Sequence, residues 1–147
     1  MTDFQLHPQL SADTQWLGDL PLCRVLLVND SRYPWLILVP RRANTRELHE
    51  LSTAQQQQFM QESSGVSKLM AQELAADKIN IAALGNMVPQ LHVHHVARFT
   101  SDAAWPAPIW GKLPALAYAE LTAEVEQWQQ RLSTLSDFTS SDLDRKY

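Results

Sequence analysis

Two apolar runs, Cys23 to Asn29 and Trp35 to Pro40, follow one another with only a few residues between them. Asn29-Asp30-Ser31 supplies turn chemistry at the junction, so the two runs read as a hairpin of buried strands. Cys23, the lone cysteine, lies inside the first run and reads as a small buried residue with no disulfide partner. From Ser52 to about Leu74 the period changes. Phe59, Val66, Leu69, Met70 and Leu74 recur at helical spacing, and Ser52 with Gln55 fits a capping box. The four glutamines Gln55 to Gln58 then form a solvated first turn. Lys78 to Leu84 reads as a third strand, and Gly85-Asn86 lets the backbone turn before Val88 to Phe99 runs out as a fourth. The class this implies is α+β: a mainly antiparallel sheet with one face covered by helix. Before the hairpin, Gln15 to Leu20 suggests a short strand within an irregular start. After the fourth strand come a segment rich in proline and tryptophan (102–111) and a second amphipathic helix, Leu116 to Leu135, with Leu121, Val125, Trp128 and Leu132 on one stripe.

A chain of 147 residues, 45% hydrophobic, suits one core and one domain, expected over residues 1–138, with 139–147 as a fraying tail. The net charge of −4 argues against a polymeric nucleic-acid partner. Phosphate recognition would fall to local groups such as main-chain N–H, histidine or a single arginine. The first ten residues lack a basic stretch followed by an apolar one, and no apolar run approaches the about 20 residues that span a bilayer. The expectation is a cytoplasmic protein with no membrane partner.

Three of the five histidines fall in Gln90-Leu91-His92-Val93-His94-His95. Strand alternation puts Gln90, His92, His94 and Arg98 on one face and His95 on the other, where it reads as a packing residue. His92 and His94 then project side by side, roughly 7 Å apart along the strand. One neutral imidazole can attack phosphorus while a neighbour, protonated near neutral pH, holds a phosphate oxygen or gives a proton to the leaving group. Two other readings stay open at this point. Histidines at i and i+2 ligate zinc if further ligands arrive from elsewhere, and they also occur as satisfied polar side chains on a half-exposed sheet face.

Gly85-Asn86-Met87-Val88-Pro89-Gln90-Leu91-His92-Val93-His94 resembles the histidine-triad (HIT) signature. Leu27-Val28-Asn29, Leu38-Val39-Pro40 and Arg46-Glu47-Leu48-His49-Glu50-Leu51-Ser52 occur in that family's order and approximate spacing. The resemblance covers about residues 20–100, with 101–138 similar to the extension of a bacterial subgroup. It implies a HIT-like fold and a homodimer that hydrolyses or transfers nucleoside phosphates, as diadenosine tetraphosphate hydrolase-like members do on dinucleoside polyphosphates or others do on nucleoside phosphoramidates. On that mapping His92 is the nucleophile that becomes nucleotidylated, and His94 contacts the phosphate and leaving group. The main-chain carbonyl of Gln90 holds the nucleophile's other ring nitrogen, Asn86 bonds the phosphate, and Asn29 lies near the ribose. Arg98 is a further candidate for a terminal phosphate. No cofactor or protein-bound metal is implied, a divalent ion coming only with the substrate. Departures are equally specific: Gln90 stands where the first histidine of the triad belongs, Trp35 after Pro34 replaces another family histidine, and Met87 replaces a hydroxyl. These losses keep a second reading alive, a catalytically silent nucleotide-binding or dimeric adaptor protein. Trp105 and Trp110 bracket two prolines in a stiff segment, read as packing against the sheet or as a cover over the site.

Overall fold

The computed structural model describes residues 3–142. In chain order its elements are α1 (Pro8–Asp13), β1 (Thr14–Asp19), β2 (Cys23–Val28), β3 (Trp35–Pro40), α2 (Thr53–Leu74), β4 (Lys78–Ala82), β5 (Val93–Arg98), α3 (Leu121–Leu132) and β6 (Thr139–Ser140). The six strands make one sheet in the order β4-β5-β3-β2-β1-β6, every neighbouring pair antiparallel. This is the α+β arrangement expected of the chain, with β2 and β3 forming the hairpin.

The unbroken apolar character of β2 and β3 has a direct cause: both faces of the sheet are covered. On one face, Leu17, Val25, Leu27, Leu36, Leu38, Val93 and Ala97 pack against Phe59, Val66, Leu69 and Met70 of α2 and Val125, Trp128 and Leu132 of α3. The opposite face carries Leu26, Val28, Ile37 and Val39 under Leu10, Val88 and the N-terminal Phe4 and Leu6. Further along that face, Tyr33 and Val96 lie beneath Ala104 and Ile109 of the proline- and tryptophan-rich segment. Helix α2 begins as expected: Ser52 caps Gln55 N–H and the Gln55 side chain bonds back to Ser52 N–H. Its buried Glu62 accepts from the N–H groups of Leu22 and Cys23, fastening the start of β2 to the helix.

Beyond the third strand ending at Ala82, not Leu84, and the last helix ending at Leu132, not Leu135, four larger differences separate the structure from the sequence reading. The fourth strand starts at Val93, not Val88, because Leu91 N–H bonds Thr45 O in the loop after β3 while Val88 packs on the sheet's other face. The last helix starts at Leu121, not Leu116. Residues before it are held instead by the β2–β3 turn, through Ser31 N–H to Leu116 O, Leu116 N–H to Asp30 Oδ1 and Tyr118 N–H to Asn29 Oδ1. The segment before β1, read as irregular, contains α1, capped by the His7 ring accepting from Gln9 N–H with Pro8 in its first turn. The tail expected to fray after Phe138 instead pairs at Thr139–Ser140 with Gly18 and Asp19 of β1. Gly18 permits this contact, since a Cβ there would strike Thr139 O and the Phe138 ring. Residues 143–147 of that expected tail lie outside the described residues.

Candidate functional site

His92 is the last residue before β5 and His94 the second residue within it, so the strand holds both rings on the face away from α2 and α3. Their ring centroids are 5.1 Å apart and the planes nearly perpendicular. His92 Nδ1 donates to the main-chain oxygen of Gln90 at 2.7 Å. A carbonyl can only accept, so the proton of the neutral ring sits on Nδ1 and Nε2 carries the lone pair. The ring forms part of the wall of a small cleft, shared with Arg46, Glu47, Ala83, Leu84, Gly85, Pro89 and Leu91. Leu84 and Gly85 come from the turn after β4. Arg46 and Glu47 come from the loop between β3 and α2.

His94 is as buried as His92 but sits in an aromatic enclosure. Trp35 Nε1 donates to its Nδ1 at 3.0 Å, and Trp110 stands edge-on at 5.4 Å between ring centroids. Burial, reinforced by the nearby positive charge that His92 and His95 would carry, holds the His94 pKa down to about 3. The expectation of a protonated His94 near neutral pH is therefore corrected: desolvation keeps the ring neutral. His95 points the other way, into the core beneath α2, as expected of a packing residue. Its Nδ1 donates to Val93 O, its Nε2 lies 2.7 Å from Ser63 Oγ, and burial lowers its pKa to about 4.

The remaining candidates separate from the pair. Arg98 does share the strand face, but its side chain is only 1% exposed and four of its five N–H groups are taken, two by Asp102 at 2.8 and 3.1 Å and one each by Asn80 Oδ1 at 2.7 Å and Ala107 O at 2.8 Å. Buried and held by these partners, it is not presented to a terminal phosphate, so that expectation fails. Gln90 places only its carbonyl at the site. Its amide accepts from His7 N–H and donates to Gln5 O, tying down the N-terminal segment. Asn29 does not line the His92 cleft, and its amide oxygen accepts from Tyr118 N–H. Asn86 is exposed in the turn, next to the cleft-lining Gly85. Arg46 is a neighbour that residue patterns did not single out for the site, whereas Trp110, read as packing against the sheet or as a cover over the site, stands against His94. The two prolines near Trp110 marked a stiff segment, but nothing local tells that it returns to β5. Among the described residues, no three His, Cys, Asp or Glu side chains gather as metal ligands, and no helix is long and apolar enough to cross a membrane.

The structure is thus a single-sheet α+β domain that sets two imidazoles side by side at one strand, one of them with its Nδ1 held by a main-chain carbonyl. The chain belongs to the histidine triad family: the HIT domain matches residues 9–101. Members of that family are in general nucleotide-binding hydrolases or transferases. Three solved histidine triad proteins share the fold closely. One from Bradyrhizobium japonicum is 49% identical with a TM-score of 0.84, covering 89% of this chain and 96% of its own. One from Marinobacter aquaeolei VT8 is 50% identical at a TM-score of 0.84, covering 90% and 95%. A third, from Sinorhizobium meliloti 1021, is 42% identical at 0.86, covering 91% and 98%. No curated protein matches the chain significantly.

Proposed function

We propose that the protein cleaves nucleoside phosphate bonds, in dinucleoside polyphosphates or nucleoside phosphoramidates, through a nucleotidyl intermediate on His92. The observation that carries this reading is the His92 Nδ1–H bond to the Gln90 carbonyl, which leaves Nε2 as a free lone pair on the wall of an open cleft. Nε2 attacks the phosphorus and an N–P bond forms as the bond to the leaving group breaks. The leaving group takes that bond's electron pair and gains a proton. Water then attacks the same phosphorus, loses a proton and displaces the histidine, releasing the nucleoside monophosphate. His94, 5.1 Å away, is placed to hydrogen-bond the phosphate or leaving group. Asn86, beside the cleft-lining Gly85, is assigned to a phosphate oxygen, and Asn29 to the ribose, as the family resemblance implies. The chain itself needs no cofactor, and a divalent ion enters with the substrate's phosphates.

A homodimer is part of this proposal. Edge strand β4 and the turn after it expose Ile81, Leu84 and Met87, apolar side chains that a second copy would cover. A monomer mass at micromolar concentration would remove the dimer.

The test is incubation with a labelled adenylyl substrate followed by trapping of an acid-labile adduct. Wild type is expected to form it and His92→Ala to lose both adduct and turnover. Release of nucleoside monophosphate at an unchanged rate from His92→Ala would reject the reading. The rival, a silent nucleotide-binding or adaptor protein, draws on Gln90, whose amide serves the N-terminal segment where a third imidazole would otherwise stand. Calorimetric nucleotide binding without turnover of either dinucleoside polyphosphates or nucleoside phosphoramidates would establish that rival.

A further inference from the structure

We infer that Trp35 is a positioning residue that fixes the proton of His94 on Nε2, so that this ring meets the substrate only as a neutral hydrogen-bond donor. The inference rests on the proposed role of His94 but not on turnover. An indole N–H can donate and never accept. With Trp35 Nε1 3.0 Å from His94 Nδ1, that ring nitrogen must be the acceptor. The neutral ring then carries its proton on Nε2, and an imidazolium would set two N–H groups against each other. The indole is itself held in place. Trp35 opens β3 in register with Val96, and its ring meets Trp110 edge-on at 6.3 Å.

Among the described residues, no neighbour supplies a charge that would favour the cation. The titratable groups around His94 are His92 and His95 on its own segment, and both would repel a proton. Its registered partners on the flanking strands, Ile37 and Ala82, are uncharged, and the extension presents Trp110.

The two histidines thus hold opposite tautomers. Gln90 O keeps the proton of His92 on Nδ1, leaving Nε2 bare, whereas Trp35 keeps Nδ1 of His94 bare and its proton on Nε2. One ring offers a lone pair and the next a donor, which is the pairing that attack on phosphorus beside a departing oxygen requires.

Nitrogen-15 NMR of the histidine rings at neutral pH reads the tautomer directly. In wild type, His94 is expected to show a protonated Nε2 and an unprotonated Nδ1, while Trp35→Phe, which keeps the ring and removes the N–H, is expected to show a tautomer mixture. A wild-type His94 protonated on Nδ1, or an unchanged spectrum in Trp35→Phe, would overturn the assignment. In turnover, Trp35→Phe is expected to lower kcat about tenfold, the equivalent of one net hydrogen bond, with little change in KM. An unchanged kcat would overturn the positioning role. A protein with no turnover but the expected His94 spectrum would instead sink the hydrolase reading alone.

Discussion

At the scale of single residues, Arg98 shows how a face assignment can be right and its chemical consequence different. Alternation along β5 does place it with His94, yet Asp102, four residues on, returns to chelate it, and the Arg98 side chain bond pulls the Asp102 carboxyl down to about 2. Removing the anion would leave a buried guanidinium without its counter-charge. Asp102→Ala is therefore expected to cost about 3–5 kcal/mol in urea denaturation, and adding Arg98→Met should recover part of that loss. A loss below about 1 kcal/mol would show that Asn80 Oδ1 and Ala107 O satisfy the cation unaided. The same comparison shows how much of the site could be read in advance. The spacing of His92 and His94 sets their common face, and the Gln90 carbonyl bond is a main-chain feature that survives any side chain at position 90. The partners that decide the state of His94, Trp35 and Trp110, come from β3 and from beyond β5. No local pattern reports contacts that distant, and the burial they impose keeps the ring neutral far below the pH at which an isolated imidazole takes up its proton.

Elements were legible where their causes are local. The capping box at Ser52 and Gln55 announces the start of α2, and β3 keeps the bounds of its apolar run because strands flank it on both sides. Boundaries moved where tertiary bonds outcompete local preference. The turn residues Asn29 and Asp30 hold the backbone of Leu116 and Tyr118 extended and delay α3, and six residues of α1 are too few to display a period. The α2 cap gives a clean measure of a local term. Ser52→Ala removes the acceptor for Gln55 N–H at an exposed site, and a loss of about 1 kcal/mol in the urea midpoint is expected, with Ser52→Thr close to wild type. A neutral Ser52→Ala would mean that packing of the α2 apolar face alone sets where the helix begins.

For the whole molecule, two of the buried histidines, His94 and His95, join its layers and so make acid sensitivity a global property. His95 is sealed between the sheet and α2, and His94 between the sheet and the tryptophan-bearing extension. Burial lowers their folded pKa values to about 4 and about 3, against about 6.5 for an unfolded histidine. Between those limits the unfolded chain binds more protons than the folded one, so stability must fall as pH falls. The contribution is fully present above about pH 6.5 and is lost on the way down to the folded values, at up to about 1.4 kcal/mol per pH unit for each ring. Asp102 acts in the same direction but lower, its contribution present above about pH 3.9 and lost through about 2. Acid unfolding should therefore begin with the histidines, well before the carboxylates titrate. Urea midpoints at pH 7.5, 6.0 and 5.0 are expected to decline steadily in wild type, and in His95→Gln to start lower but decline less steeply, because one of the two proton sinks is gone. Parallel declines in the two proteins would show that His95 does not couple protonation to unfolding, and would leave the acid response to His94 and the contact of the extension with β5.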